Sequence, residues 1–222
     1  MKLRLTQLST VTVGSAHNPT ILNPDFVALR NIVPKDWDWT VVETLTTPPF
    51  AIIRYGNSVS ITVEHNKLQV TDAAVGEDPT TSKVGQIATA YVKTLPHVPY
   101  TAVGINFQGI LEVESPETYL KNRFLKSGPW NTSPYPLTAA GLRLLYPLED
   151  SGRLTLSLDA GEAIRTQENP HQPVSLLIAN ANFHRDCQGY PAEEQAITHL
   201  AHLASDWRTY QALLRATLDI EV

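Results

Sequence analysis

The chain has 222 residues, 42% of them hydrophobic and 18% charged, with a formal charge of −5 and a pI near 5.8. That is enough apolar material for one sizeable core, in a globular protein somewhat short of charge. The acidic balance argues against a nucleic-acid binder, which gathers Lys and Arg on one face to displace counterions.

The one compact basic cluster, Lys121, Arg123 and Lys126, shares its short helical pattern with Glu117 and reads as a solvated face. Cys187 is the single cysteine, so no intrachain disulfide can form and a reducing compartment is expected. Thr6, Gln7, Ser9, Thr10 and Thr12 interrupt the apolar residues near the start, which speaks against a signal peptide. No window approaches the roughly 18 apolar residues of a membrane span. The expectation is a cytoplasmic protein without a membrane partner.

In chain order, Leu3, Leu5 and Leu8, then Val11 and Val13, suit a first strand with a slip or bulge midway. Asp25 to Val33 predicts a short helix capped by Asn23 or Asp25 and closed by Pro34. Trp37 and Trp39, two apart, would share one side of a strand. Strand signals follow at 40–47, 50–55, 59–64 and 68–70, with turns at Gly56-Asn57-Ser58 and His65-Asn66. Val59, Ile61 and Val63 alternate with Ser60, Thr62 and Glu64, the period of a half-buried antiparallel strand.

Asp72 to Lys83 reads as a loop. Val84, Ile87, Ala88, Tyr91 and Leu95 recur at helical spacing, and Pro96 ends that helix because it has no amide to donate. Tyr100 to Val113 is the next strand, with Gly104 and Gly109 marking a bulge or a close backbone approach. Ser115-Pro116-Glu117 opens a short helix, after which prolines frame Trp130 and Tyr135. Strands follow at Leu142 to Tyr146 and Leu154 to Leu158, then a loop to Pro173 and a long strand to Phe183. One helix is expected from Ala192 to Leu218, with Ile197, Leu200, Ala204, Trp207 and Leu214 on its apolar stripe and Leu203 and Tyr210 at the border.

The chain echoes itself. Pro96-His97-Val98-Pro99 leads to Ile105-Asn106-Phe107, and Pro170-His171-Gln172-Pro173 leads to Ala181-Asn182-Phe183. Such an echo speaks to architecture. The fold class expected is α+β, a mostly antiparallel sheet with helices packed on one face. It forms a single globular domain over 1–222, with pseudo-repeated halves at 40–127 and 138–222. Asn106 and Asn182 would then occupy equivalent places near strand ends, bonding across a pseudo-axis or to a ligand. The ordinary alternative for each is a backbone bond at a neighbouring bulge.

The metal candidate is His184, Cys187, His199 and His202, spaced H-x2-C…H-x2-H, with the second pair on one helix face. A domain with a full core seldom needs such a staple. Cys187 beside His184 could alternatively be a nucleophilic pair, but no local signature supports it. His184-Arg185-Asp186 matches a kinase triplet with the rest of the kinase set missing. No phosphate loop or dinucleotide turn occurs, and no cofactor is implied. Glu193-Glu194 reads as helix-dipole chemistry rather than an acid–base pair.

Trp130 and Tyr135 among prolines offer rigid aromatic surface of the kind binding hot spots favour. The reading preferred from sequence is a non-enzymatic binding or assembly protein, homodimeric, with a protein partner or its own copy and binding residues Trp130, Tyr135, Asn106 and Asn182. The alternatives are a hydrolase-like small-molecule enzyme with a cleft at the sheet–helix junction, and a metal-binding protein using the His/Cys set.

Overall fold

The computed structural model describes residues 2–132, 134, 136–149, 152–164, 173–189 and 191–219. Among these, nine strands form one sheet: β1 (Arg4–Gly14), β2 (Val41–Thr46), β3 (Phe50–Tyr55), β4 (Val59–Glu64), β5 (Lys67–Asp72), β6 (Tyr100–Glu112), β7 (Leu142–Pro147), β8 (Arg153–Ile164) and β9 (Pro173–Asp186). Their order is β2-β3-β4-β5-β1-β6-β9-β8-β7 and every neighbouring pair is antiparallel. The helices are α1 (Pro24–Leu29), α2 (Val84–Thr94), α3 (Pro116–Phe124), α4 (Ala192–Leu200) and α5 (Leu203–Leu218). The protein is thus mixed α and β on a large antiparallel sheet.

The slip expected in the first strand is a bulge between Leu5 and Gln7 against β6. The extra residue turns both Leu5 and Leu8 to the buried face, although their spacing is odd. Downstream of it Thr10 and Thr12 are buried, whereas Val11 and Val13 are only half-buried. α1 starts where expected because the Asn23 side chain accepts from the Phe26 amide at 2.8 Å; Asn23, not Asp25, is the cap.

Trp37 and Trp39 come together without a strand. A 3-10 turn at Lys35–Trp37 ends in left-handed Asp38, and the two rings lie 4.9 Å apart, with Trp39 against Tyr55. β8 runs well beyond the alternating leucines, pairing with β9 as far as Ile164 opposite Pro173, where a loop was expected.

The single terminal helix expected from sequence is two helices. The turn at Ala201-His202 carries tightened bonds, Ala201 N to the Thr198 carbonyl and His202 N to the His199 carbonyl. This break re-aims the stripe. Leu203, Trp207, Tyr210, Leu214 and Leu218 are buried on α5 while Ala204 is exposed. Each large apolar side chain so buried contributes about 1.5–3 kcal/mol.

Phe107 of β6 stacks on Tyr210 at 5.6 Å and meets Trp207 at 5.5 Å. The Tyr210 hydroxyl donates to the Ala179 carbonyl of β9 at 2.8 Å. The buried pair Arg185–Asp206 ties β9 to α5 with two bonds of 2.7 Å. Gly109 makes room for the Tyr210 hydroxyl, because a Cβ there would lie 2.6 Å from Leu3 and 2.8 Å from that hydroxyl.

Candidate functional site

The same alternation that buries one face leaves the other polar. Cross-strand register aligns Leu145, Thr155, Asn182, Asn106, Ser9, Thr71, Ser60, Arg54 and Glu43 in a row from β7 to β2. From Thr155 to Ser60 every member is an uncharged hydrogen-bonding side chain. Charge returns only at the edge, where Arg54 pairs with Glu43.

A second row, two residues along each strand, aligns Arg143, Ser157, Asn180, Gln108 and Gln7. It too is uncharged between β8 and β1. Ser60, Thr62, Thr155 and Ser157, which alternate with the apolar residues of β4 and β8, all belong to this polar face.

The rows meet in a cavity of about 170 Å³ on β1, β6, β9 and β8. At its centre the Asn182 amide donates to Asn106 Oδ1 at 2.5 Å, and the Asn106 amide donates to Ser9 Oγ at 3.3 Å. Asn106 and Asn182 therefore meet as direct cross-strand partners, Asn106 at the middle of β6 and Asn182 toward the end of β9. Asn180 Oδ1, one row away, is shut off from solvent and has no hydrogen-bond partner.

The expected metal set is distributed differently. His184 Nε2 lies 3.0 Å from the Asp186 carboxylate, on the polar face beyond Gly104. His199 Nε2 stands 3.3 Å from the Asp186 carbonyl, and the His199 and His202 rings are 6.5 Å apart. Among the described residues no three His, Cys, Asp or Glu side chains are grouped to hold a metal ion. The Cys187 thiol is half-buried, and burial together with the neighbouring Asp186 charge pushes its pKa up to about 11. Such a thiol is the opposite of an activated nucleophile.

Trp130 sits on a 3-10 turn, Pro129–Asn131, and is 52% exposed. Tyr135, and the echo residues Pro170, His171 and Gln172, lie outside the described residues. Glu193 and Glu194 occupy the first turn of α4.

Sequence reasoning missed Asn180, Gln108, Gln7 and Ser9, though a signal existed. Asn180-Ala181-Asn182, Asn106-Phe107-Gln108 and Gln7-Leu8-Ser9 each place two amides or hydroxyls on one side of a strand. It also missed two buried groups. One is the Arg185–Asp206 pair. The other is His17, whose pKa burial lowers to about 4.

A larger cleft of about 700 Å³ opens beside Leu3, Leu5, Val75, Ile110 and Trp207. Its rim carries both signs of charge, including the exposed pair Lys2–Glu77 at 2.9 Å.

No protein-family model matches the chain, and comparison with curated proteins finds no match. What the described residues define is a class of architecture, an α+β protein on a nine-stranded antiparallel sheet. No helix among them is long and apolar enough to cross a membrane.

Proposed function

We propose that this is a non-enzymatic binding protein that recognises its ligand on the polar face of the sheet. The observation that carries the reading is the uncharged row from Thr155 through Asn182, Asn106, Ser9 and Thr71 to Ser60. Solvated protein faces ordinarily mix Lys, Arg, Glu and Asp. A continuous band without them is dense in donors and acceptors yet repels neither sign of charge. The reading takes the helices to cover the opposite face and the two halves to be related about the Asn106–Asn182 contact.

Burial drives Cys187 up to about 11 and His17 down to about 4, and raises Tyr91, Tyr100 and Tyr210. Each of these shifts favours the neutral form at pH 7, so these buried groups themselves are not poised as acids or bases.

The test is a thermal-shift screen of chemically diverse small molecules against the full chain and its Asn182→Lys and Thr155→Lys variants. Stabilising compounds should lose their effect in both variants and be recovered chemically unchanged. Stabilisers that survive both substitutions, or that the protein converts, would overturn the reading.

A second reading, self-association, draws on the sheet edges. Leu145 on β7 is 58% exposed and Leu45 on β2 is 49% exposed. Edge strands with exposed apolar side chains template pairing with another chain. Sedimentation velocity should then show a dimer that Leu145→Lys dissociates, and a wild-type monomer at every concentration would remove this reading.

A further inference from the structure

We infer that the cavity between Asn106, Asn180 and Asn182 is a site for a neutral polyhydroxylated ring, a single sugar-sized unit. The inference rests on the reading of the polar face as a binding surface and names what it binds.

Size is the first constraint. A water occupies roughly 30 Å³ of liquid, and drug-sized ligands need pockets of about 300–1,000 Å³. A hollow of about 170 Å³ that opens to solvent therefore matches one small ring, and any remainder of a longer ligand would lie outside it. The uncharged band is likewise too small for a protein partner. One row six strands wide and a second four strands wide, with strands about 4.8 Å apart, cover on the order of 300 Å², against roughly 800 Å² per partner in a stable complex.

Charge is the second constraint. Across the cavity the register places Thr155 and Asn182, Ser157 and Asn180, and then Asn106 and Gln108, with no ionised group among them. An anion or cation would leave its hydration shell without a counter-charge, which is costly, whereas a hydroxyl loses little.

Hydrogen-bonding character is the third. Primary amides present a donor and an acceptor side by side, and a ligand hydroxyl both donates and accepts. The Asn182–Asn106–Ser9 chain already orients its own donors in one direction, from β9 toward β1. Asn180 Oδ1 still lacks a donor. Its terminal torsion is broad and two-fold, so a ligand hydroxyl in the cavity can recruit it by rotation.

The experiment is a ¹⁵N-correlation titration of the side-chain amides with D-glucose and myo-inositol, using glucuronate and glucosamine as charged analogues. The full chain is compared with Asn182→Leu and Ser157→Val. Saturable shifts at Asn106, Asn180 and Asn182 with the neutral probes are expected. Affinity should be at least about tenfold weaker for the charged analogues and for either variant, the loss of one or two net hydrogen bonds. Equal binding of charged and neutral probes would overturn the ligand class. So would shifts elsewhere on the protein, or no shift with either neutral probe. None of these results by itself touches the binding reading, because the thermal-shift screen decides that with compounds of every class.

Discussion

His17 offers the sharpest test of how burial governs this protein. It follows β1, is 2% exposed, and sits between Tyr91 at 6.1 Å and Tyr100 at 5.9 Å. Its ring nitrogens have no side-chain hydrogen-bond partner, only the Thr12 backbone beside them, and the Thr10, Thr12 and Tyr91 hydroxyls on β1 and α2 are buried without one. Burial lowers the His17 pKa from 6.5 to about 4, opposed only in part by the Thr12 backbone.

The unfolded chain therefore takes up a proton as pH falls through about 6.5, while the folded chain resists until about 4. Stability falls with pH between those values, and the loss levels off below the lower one. At about 1.36 kcal/mol per unit, the loss reaches a ceiling of about 3 kcal/mol, most of it accrued by pH 4.5. That is a large share of a typical 5–15 kcal/mol.

His17→Phe keeps a ring between the tyrosines and removes the titration. Urea unfolding of both proteins at several pH values from 7.5 to 4.5 gives the difference directly, with the carboxylates common to both cancelling. The wild type should lose about 2–3 kcal/mol relative to the variant over that range. Parallel stability curves would refute the account of a neutral, desolvated imidazole.

Three further outcomes follow from packing. Asp206→Asn leaves Arg185 charged and buried, and should cost about 3–5 kcal/mol in chemical denaturation, whereas Arg185→Met with Asp206→Leu should recover most of it. Gly109→Ala drives a methyl into Leu3 and the Tyr210 hydroxyl, a loss of about 1–3 kcal/mol with a lowered melting temperature. Cys187, with its thiol pKa near 11, should react with iodoacetamide at pH 7.5 on the order of 100-fold more slowly in the folded than in the urea-unfolded protein; equal rates would contradict its half-buried placement.

Much of the fold was legible because local rules act over a few residues. Val59 to Glu64 alternates as a strand must, Pro96 stops α2, and Asn23 caps α1. The bulge in β1 was readable from the changed spacing of Leu5 and Leu8. The terminal helix was misread because no Gly or Pro marks the break at Ala201-His202. Only the sheet behind it requires Trp207 and Tyr210 to face Phe107.

By itself, then, the sequence determined where most strands and helices lie and, for strands such as β4, which side is apolar, since both follow from side-chain periodicity along the chain. It also singled out Asn106 and Asn182. What only the tertiary structure decided is who stands beside whom. Strand order and register set Asn106 against Asn182, Asn180 against Gln108, and Arg185 under Asp206. Those pairings join residues 21 to 76 positions apart. Non-local contacts of this kind depend on how the whole apolar surface is buried at once, and no local pattern in the chain records that.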